Sequence, residues 1–139
     1  MAMHLEFVVL GPPISNQQTT PKGKTNLTLW HATIVGAARS LWPNPLLIGH
    51  LKAIIINFYA GNKPSVDVDN MSKPILDVLQ TIVYDDDRQI TQAEITHLKI
   101  GAPYSIVGAS KILVHALQAG QQFVYVRLED TVDPFPLPK

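Results

Sequence analysis

The chain contains no cysteine. Disulfide bridging, a thiolate nucleophile, a zinc knuckle and an iron–sulfur centre are excluded together. No uninterrupted apolar run is long enough to span a bilayer, and Met1-Ala2-Met3-His4-Leu5-Glu6 lacks the basic segment and apolar stretch of an export signal. The expectation is a cytoplasmic protein with no membrane association. The five histidines, His4, His31, His50, His97 and His115, have no HExxH or other ligand spacing, and no GxSxG elbow occurs. Gly23-Lys24-Thr25 ends like a P-loop, but Gln18 stands where the leading glycine belongs. An excess of one charge is also missing, since 11 Lys and Arg balance 11 Asp and Glu.

What is present describes a folding chain. Its 139 residues, 46% hydrophobic and 16% charged, suit one compact domain with a single core. Leu5–Leu10 reads as a strand closed by Gly11-Pro12-Pro13, and the polar segment Ile14–Asn26 as a mobile loop. Apolar residues at helical spacing predict a helix over Leu27–Trp42, and β-branched and aromatic residues a strand over Lys52–Tyr59. Met71, Ile75, Val78, Leu79 and Ile82 share one face of a second helix. A strand over Ile90–Ile100, a helix over Ile106–Ala119 ended by Gly120, and a strand over Phe123–Leu128 follow. The fold class is α+β, a mixed sheet with helices packed on it. Residues 1–132 form the domain and 133–139 a proline-rich tail.

Six of the 11 acidic residues crowd between Asp67 and Asp87: Asp67-Val68-Asp69-Asn70, then Asp77, then Asp85-Asp86-Asp87, with Lys73 among them. Residues 1–66 carry Lys22, Lys24, Arg39, Lys52 and Lys63 against Glu6, a net +4, whereas residues 67–87 carry a net −5. Crowded carboxylates raise the cost of ionising one another, and a hard divalent cation such as Mg²⁺ relieves it. If Asp67–Asp69 is extended, its carboxylates lie on one side roughly 6.5–7 Å apart at Cα, within reach of one ion. Asn70 can open a helix whose positive end faces phosphate, and Lys73 lies in its first turn. The plainer reading makes Asp67 and Asp69 a turn and a cap, Lys73 a surface partner of Asp77, and the triple aspartate a solvated loop. An EF-hand beginning at Asp67 fails at Ser72 and Val78, where glycine and glutamate belong.

Asp67-x-Asp69-Asn70-x-x-Lys73-x-x-x-Asp77, followed by Val83-Tyr84 and Asp86-Asp87-x-Gln89-Ile90, resembles the signature of the RusA-type Holliday junction resolvases of bacteria and their phages. A weaker likeness extends to Gly11-Pro12-Pro13-x-Ser15-Asn16, and here Ser65-Val66 separates Lys63-Pro64 from Asp67. The resemblance implies a RusA-like fold and a homodimeric, Mg²⁺-dependent endodeoxyribonuclease, with Mn²⁺ as a substitute, that nicks four-way junctions symmetrically in recombination and repair. It makes Asp67, Asp69 and Asp87 the metal-binding carboxylates, Asp86 a further candidate ligand and Lys73 the essential lysine. Asn70 and Asp77 become supporting residues. Lys22, Lys24, Lys63 and Arg88 are the candidate contacts to the DNA backbone, which position a duplex without reading its sequence. The alternative is a branched-DNA-binding protein without cleavage activity. A DxD nucleotide-sugar transferase is a third reading, for which the chain is short.

Overall fold

The computed structural model describes residues 2–139. The element order is β1 (Met3–Leu10), α1 (Pro21–Leu41), β2 (Leu51–Tyr59), α2 (Val68–Leu79), a single 3-10 turn (Asp87–Gln89), β3 (Ile90–Lys99), α3 (Lys111–Ala119) and β4 (Phe123–Asp130). The strands form one mixed sheet in the order β1-β4-β2-β3, with β4 antiparallel to both neighbours and β3 parallel to β2. The α+β class and the mixed sheet agree with the sequence. Among the described residues, no helix is long and apolar enough to cross a membrane.

Alternation along the strands sorts the core into two layers, because successive side chains leave a strand on opposite faces. Leu5, Phe7 and Val9 of β1, Leu51, Ala53 and Ile55 of β2, and Val124, Val126 and Leu128 of β4 face one way. They meet Trp30, Ile34 and Ala38 of α1 and Met71, Ile75 and Leu79 of α2. On the other face Phe58 stacks on Phe123 with ring centroids 4.5 Å apart, and Leu113, Ala116 and Leu117 of α3 cover them. The larger layer therefore carries α1 and α2, and the smaller one α3.

Two helix starts differ from the sequence reading. Helix α1 begins at Pro21, inside the segment read as a mobile loop, with Thr20 as its cap accepting from the Gly23 N–H at 3.0 Å. Proline at the first helical position loses no bond, so Thr20-Pro21 is a start signal. Apolar periodicity cannot show it, because residues 20–22 and 24–26 are exposed. Helix α3 begins at Lys111 instead of Ile106, behind Gly108 at φ +76° and the Ser110 cap. Its end at Gly120, left-handed at φ +72°, is where the sequence places it.

Candidate active site

The start of α2 follows from three residues. Asp67 adopts the extended conformation of a cap (φ −76°, ψ 157°), and the helix runs from Val68. Pro74 lies inside it, seven residues in, and has no N–H to give to the Asn70 carbonyl one turn earlier. That carbonyl accepts the Asn16 N–H instead, at 3.2 Å. The loop after β1 is thereby tied to the first turn of α2. Ser15 and Asn16 thus join the site region without having been assigned a role from sequence. The signal was available in Gly11-Pro12-Pro13-x-Ser15-Asn16 and in a proline four residues after Asn70.

Asp67 and Asp69 do not lie on an extended segment, which corrects the two-residue strand spacing. Asp67 caps the helix by position and Asp69 sits in its first turn. An aspartate at this position normally accepts a bond from a first-turn N–H, yet the Asp67 side chain makes none. Its carboxylate is uncommitted, and it borders an open hollow of about 420 Å³ shared with Ser15, Lys63 and Asn70. Both carboxylates lie near the positive end of α2, which favours negative charge.

One turn further on, Lys73 reaches Asp77 at 3.1 Å, with both side chains at least half exposed. Asp69, Lys73 and Asp77 follow one another at four-residue intervals along the outer side of α2. Tyr84 is completely buried, and its hydroxyl donates to the Leu76 carbonyl at 2.7 Å. Burial pushes the Tyr84 phenol well above its usual range, and the charges of Asp77 and then Asp87 raise it further. From Asp67 to Asp77 the helix advances about 15 Å.

The triple aspartate is a hydrogen-bonded turn with Asp85 and Asp87 exposed. Asp86 caps the 3-10 turn, accepting from the Arg88 N–H at 2.9 Å and from the Arg88 guanidinium at 2.6 Å. The side-chain bond from Arg88, and next its backbone N–H, hold the Asp86 carboxyl far below the usual carboxylate range. The Gln89 side chain accepts from the Asp85 and Asp86 N–H groups, both at 3.0 Å, and donates to the Leu47 and Gly49 carbonyls. Asp86 is committed to this turn, whereas Asp87 is exposed and makes no cap bond of its own.

Among the described residues, no three His, Asp or Glu side chains are grouped so that they could hold a metal ion. Mg²⁺ commonly takes only one or two protein carboxylates and completes its octahedron with water and substrate phosphate. The free Asp67 carboxylate with exposed Asp69 fits that requirement. Of the candidate DNA contacts, Lys63 borders the same hollow as Asp67, Lys22 and Lys24 are exposed in the first turns of α1, and Arg88 is exposed while paired with Asp86.

The family model described as Endodeoxyribonuclease RusA matches residues 16–107, from the Asn16 that docks on α2 through α1, β2, α2 and β3. No curated protein matches the chain. The match takes in every carboxylate from Asp67 to Asp87, together with Lys73 and the turn that Asp86 caps. With the mixed sheet and the acidic start of α2 already in place, the chain belongs to the RusA endodeoxyribonuclease family, nucleases of Holliday junctions.

Proposed function

We propose that this endodeoxyribonuclease nicks four-way junctions in pairs as a homodimer, using Mg²⁺, or Mn²⁺ in its place, with Asp67, Asp69, Lys73 and Asp87 as its working residues. The observation that carries the proposal is the Asp67 carboxylate, which stands at a helix cap without capping, on the same hollow as Lys63 and two residues before Asp69. Asp67 and Asp69 would hold the ion together with a DNA phosphate. When bound, Mg²⁺ polarises a phosphoryl oxygen and lowers the pKa of water, which is the chemistry phosphodiester hydrolysis needs.

The chain's own residues account for the rest. First-turn N–H groups of α2 that Asp67 leaves uncapped favour a phosphate at the same place. Lys63 offers a cation on the wall of the hollow. The exposed Lys73–Asp77 pair is worth only about 0.3–0.5 kcal/mol, so the ammonium is readily released to offset charge growing on the phosphoryl oxygens. Asp87, exposed at the start of the 3-10 turn, would be the third carboxylate of the metal site. Asp86 serves by holding the turn that presents Asp87, a positioning role.

The test is a synthetic four-way junction and a linear duplex of the same sequence, each incubated with the purified protein and Mg²⁺, with the cuts mapped on all strands. Symmetric paired nicks in the junction alone are expected. Asp67→Asn, Asp69→Asn and Asp87→Asn should bind the junction and leave it intact. Full Mg²⁺-dependent nicking by the Asp69→Asn protein would remove this mechanism.

A further inference from the structure

On the sheet face that carries α1 and α2, Val9, Val124, Asn57 and His97 form one row across the four strands, each paired with the next. The row behind it, Phe7, Val126, Ile55 and Ile95, is wholly apolar. Asn57 is only 1% exposed, a polar residue set against an otherwise hydrophobic cluster. Its amide donates to His97 Nδ1 at 3.1 Å, which leaves the proton of the neutral ring on Nε2. The Tyr59 ring stands perpendicular to the imidazole, with centroids 6.4 Å apart. Beyond that one bond the pair is unsatisfied. Asn57 Oδ1, an acceptor, and His97 Nε2, a donor, are both buried without a hydrogen-bond partner among the described residues.

Such atoms give up their hydration on folding and regain nothing, so an apolar pair of similar volume would suit this row at least as well for stability. Their place in the fold supplies another reason for them. Two loops leave the sheet at this end and go on to border the Asp67 hollow: Ser15 lies six residues past Val9, and Lys63 six past Asn57. Strands β2 and β3 are parallel and α2 crosses between them, so α2 starts at this same end, beyond the carboxyl ends of the two strands, where open α/β sheets place their ligand sites. We propose that Asn57 and His97 are positioning residues of the nuclease, supporting the start of α2 from the sheet and so holding Asp67 and Asp69 in the arrangement that takes a divalent cation. Their free donor and acceptor suit the first-turn N–H groups that Asp67 leaves uncapped and the carbonyls of residues 60–67 just before it. The inference rests on the metal site of the proposed function and adds what sets its shape.

The test replaces both residues at once in the full chain, since Asn57→Leu/His97→Leu removes both unpaired atoms and strands neither. Urea unfolding, Mn²⁺ binding followed by electron paramagnetic resonance, and Mg²⁺-dependent nicking of the four-way junction are measured on the unaltered protein, the double variant and His97→Gln. The double variant should be at least as stable as the unaltered protein, yet bind Mn²⁺ more weakly and nick with a lower kcat, each by on the order of 10- to 100-fold. The conservative His97→Gln keeps a donor at the Nε position and should recover Mn²⁺ affinity to within about threefold. A double variant that is unfolded or less stable gives the pair a role in the fold alone and overturns the inference. So does one that binds Mn²⁺ as the unaltered protein does, or a His97→Gln protein as impaired as the double variant. An unaltered protein that binds no Mn²⁺ overturns both the inference and the reading it rests on. Weakened Mn²⁺ binding by the double variant of a protein that nicks no junction would sink the proposed function and leave the role of the pair standing. Junction nicking unchanged by loss of the pair would do the reverse.

Discussion

Replacing Asp67 by asparagine separates its structural role from its chemical one. A capping aspartate lost to a non-capping residue costs about 1 kcal/mol, with a range of about 0.5–2. Asp67 makes no cap bond, so only its interaction with the positive end of α2 is at stake, about 0.3–1 kcal/mol. For a chain of this size that is a fall in Tm of roughly 1–4 °C. Asparagine can itself cap, which would reduce the fall further. The effect on nicking should be of a different order. Loss of one charged group from a preorganised phosphoryl-transfer site costs on the order of 100-fold or more, about 2.7 kcal/mol. Urea unfolding gives the first quantity and single-turnover nicking of a labelled four-way junction in Mg²⁺ gives the second. A stability loss above about 2 kcal/mol would show that Asp67 is a cap after all. Nicking within threefold of the unaltered protein would show that its free carboxylate has no catalytic use.

Lys73→Ala should slow nicking by on the order of 100-fold while lowering stability by no more than about 0.5 kcal/mol, measured by the same two assays. Tyr84→Phe keeps the buried ring and removes a 2.7 Å hydrogen bond to Leu76, whose carbonyl still accepts the Gln80 N–H at 3.1 Å. Urea unfolding should therefore register a loss of about 1 kcal/mol, and a loss above about 3 would mean the hydroxyl anchors more than this one contact. Asp86→Ala removes a carboxyl whose folded-state pKa is depressed, so its stabilising contribution is complete above about pH 4 and fades as pH falls through the folded value. The stability gap between the unaltered and Asp86→Ala proteins should be full at pH 7 and narrow below pH 4 in urea titrations, and a gap independent of pH would refute the capping account.

Each strand was legible because its cause is local. Val and Ile runs at Lys52–Tyr59 and Phe123–Leu128 bury on one or both faces, and the Gly120 stop of α3 requires a left-handed residue. Helix starts were less legible where the first turn is exposed and polar, as at Pro21, since periodicity carries no signal there and only the Thr20-Pro21 cap does. The acidic cluster was visible in full, but the conformation of its two segments was not. Asp67 and Asp69, read as a possible strand segment, stand at the cap and in the first turn of a helix.

Sequence by itself determined the order of elements, the family and the residues available for chemistry, because hydrophobic period, turn composition and side-chain identity are properties of short windows. Tertiary structure alone decided the strand order β1-β4-β2-β3, the docking of Asn16 on the carbonyl that Pro74 frees, the commitment of Asp86 to its turn and the freedom of Asp67. Each of these depends on which distant backbone group arrives at a given N–H or carboxylate. That arrival is set by how the helices pack on the sheet.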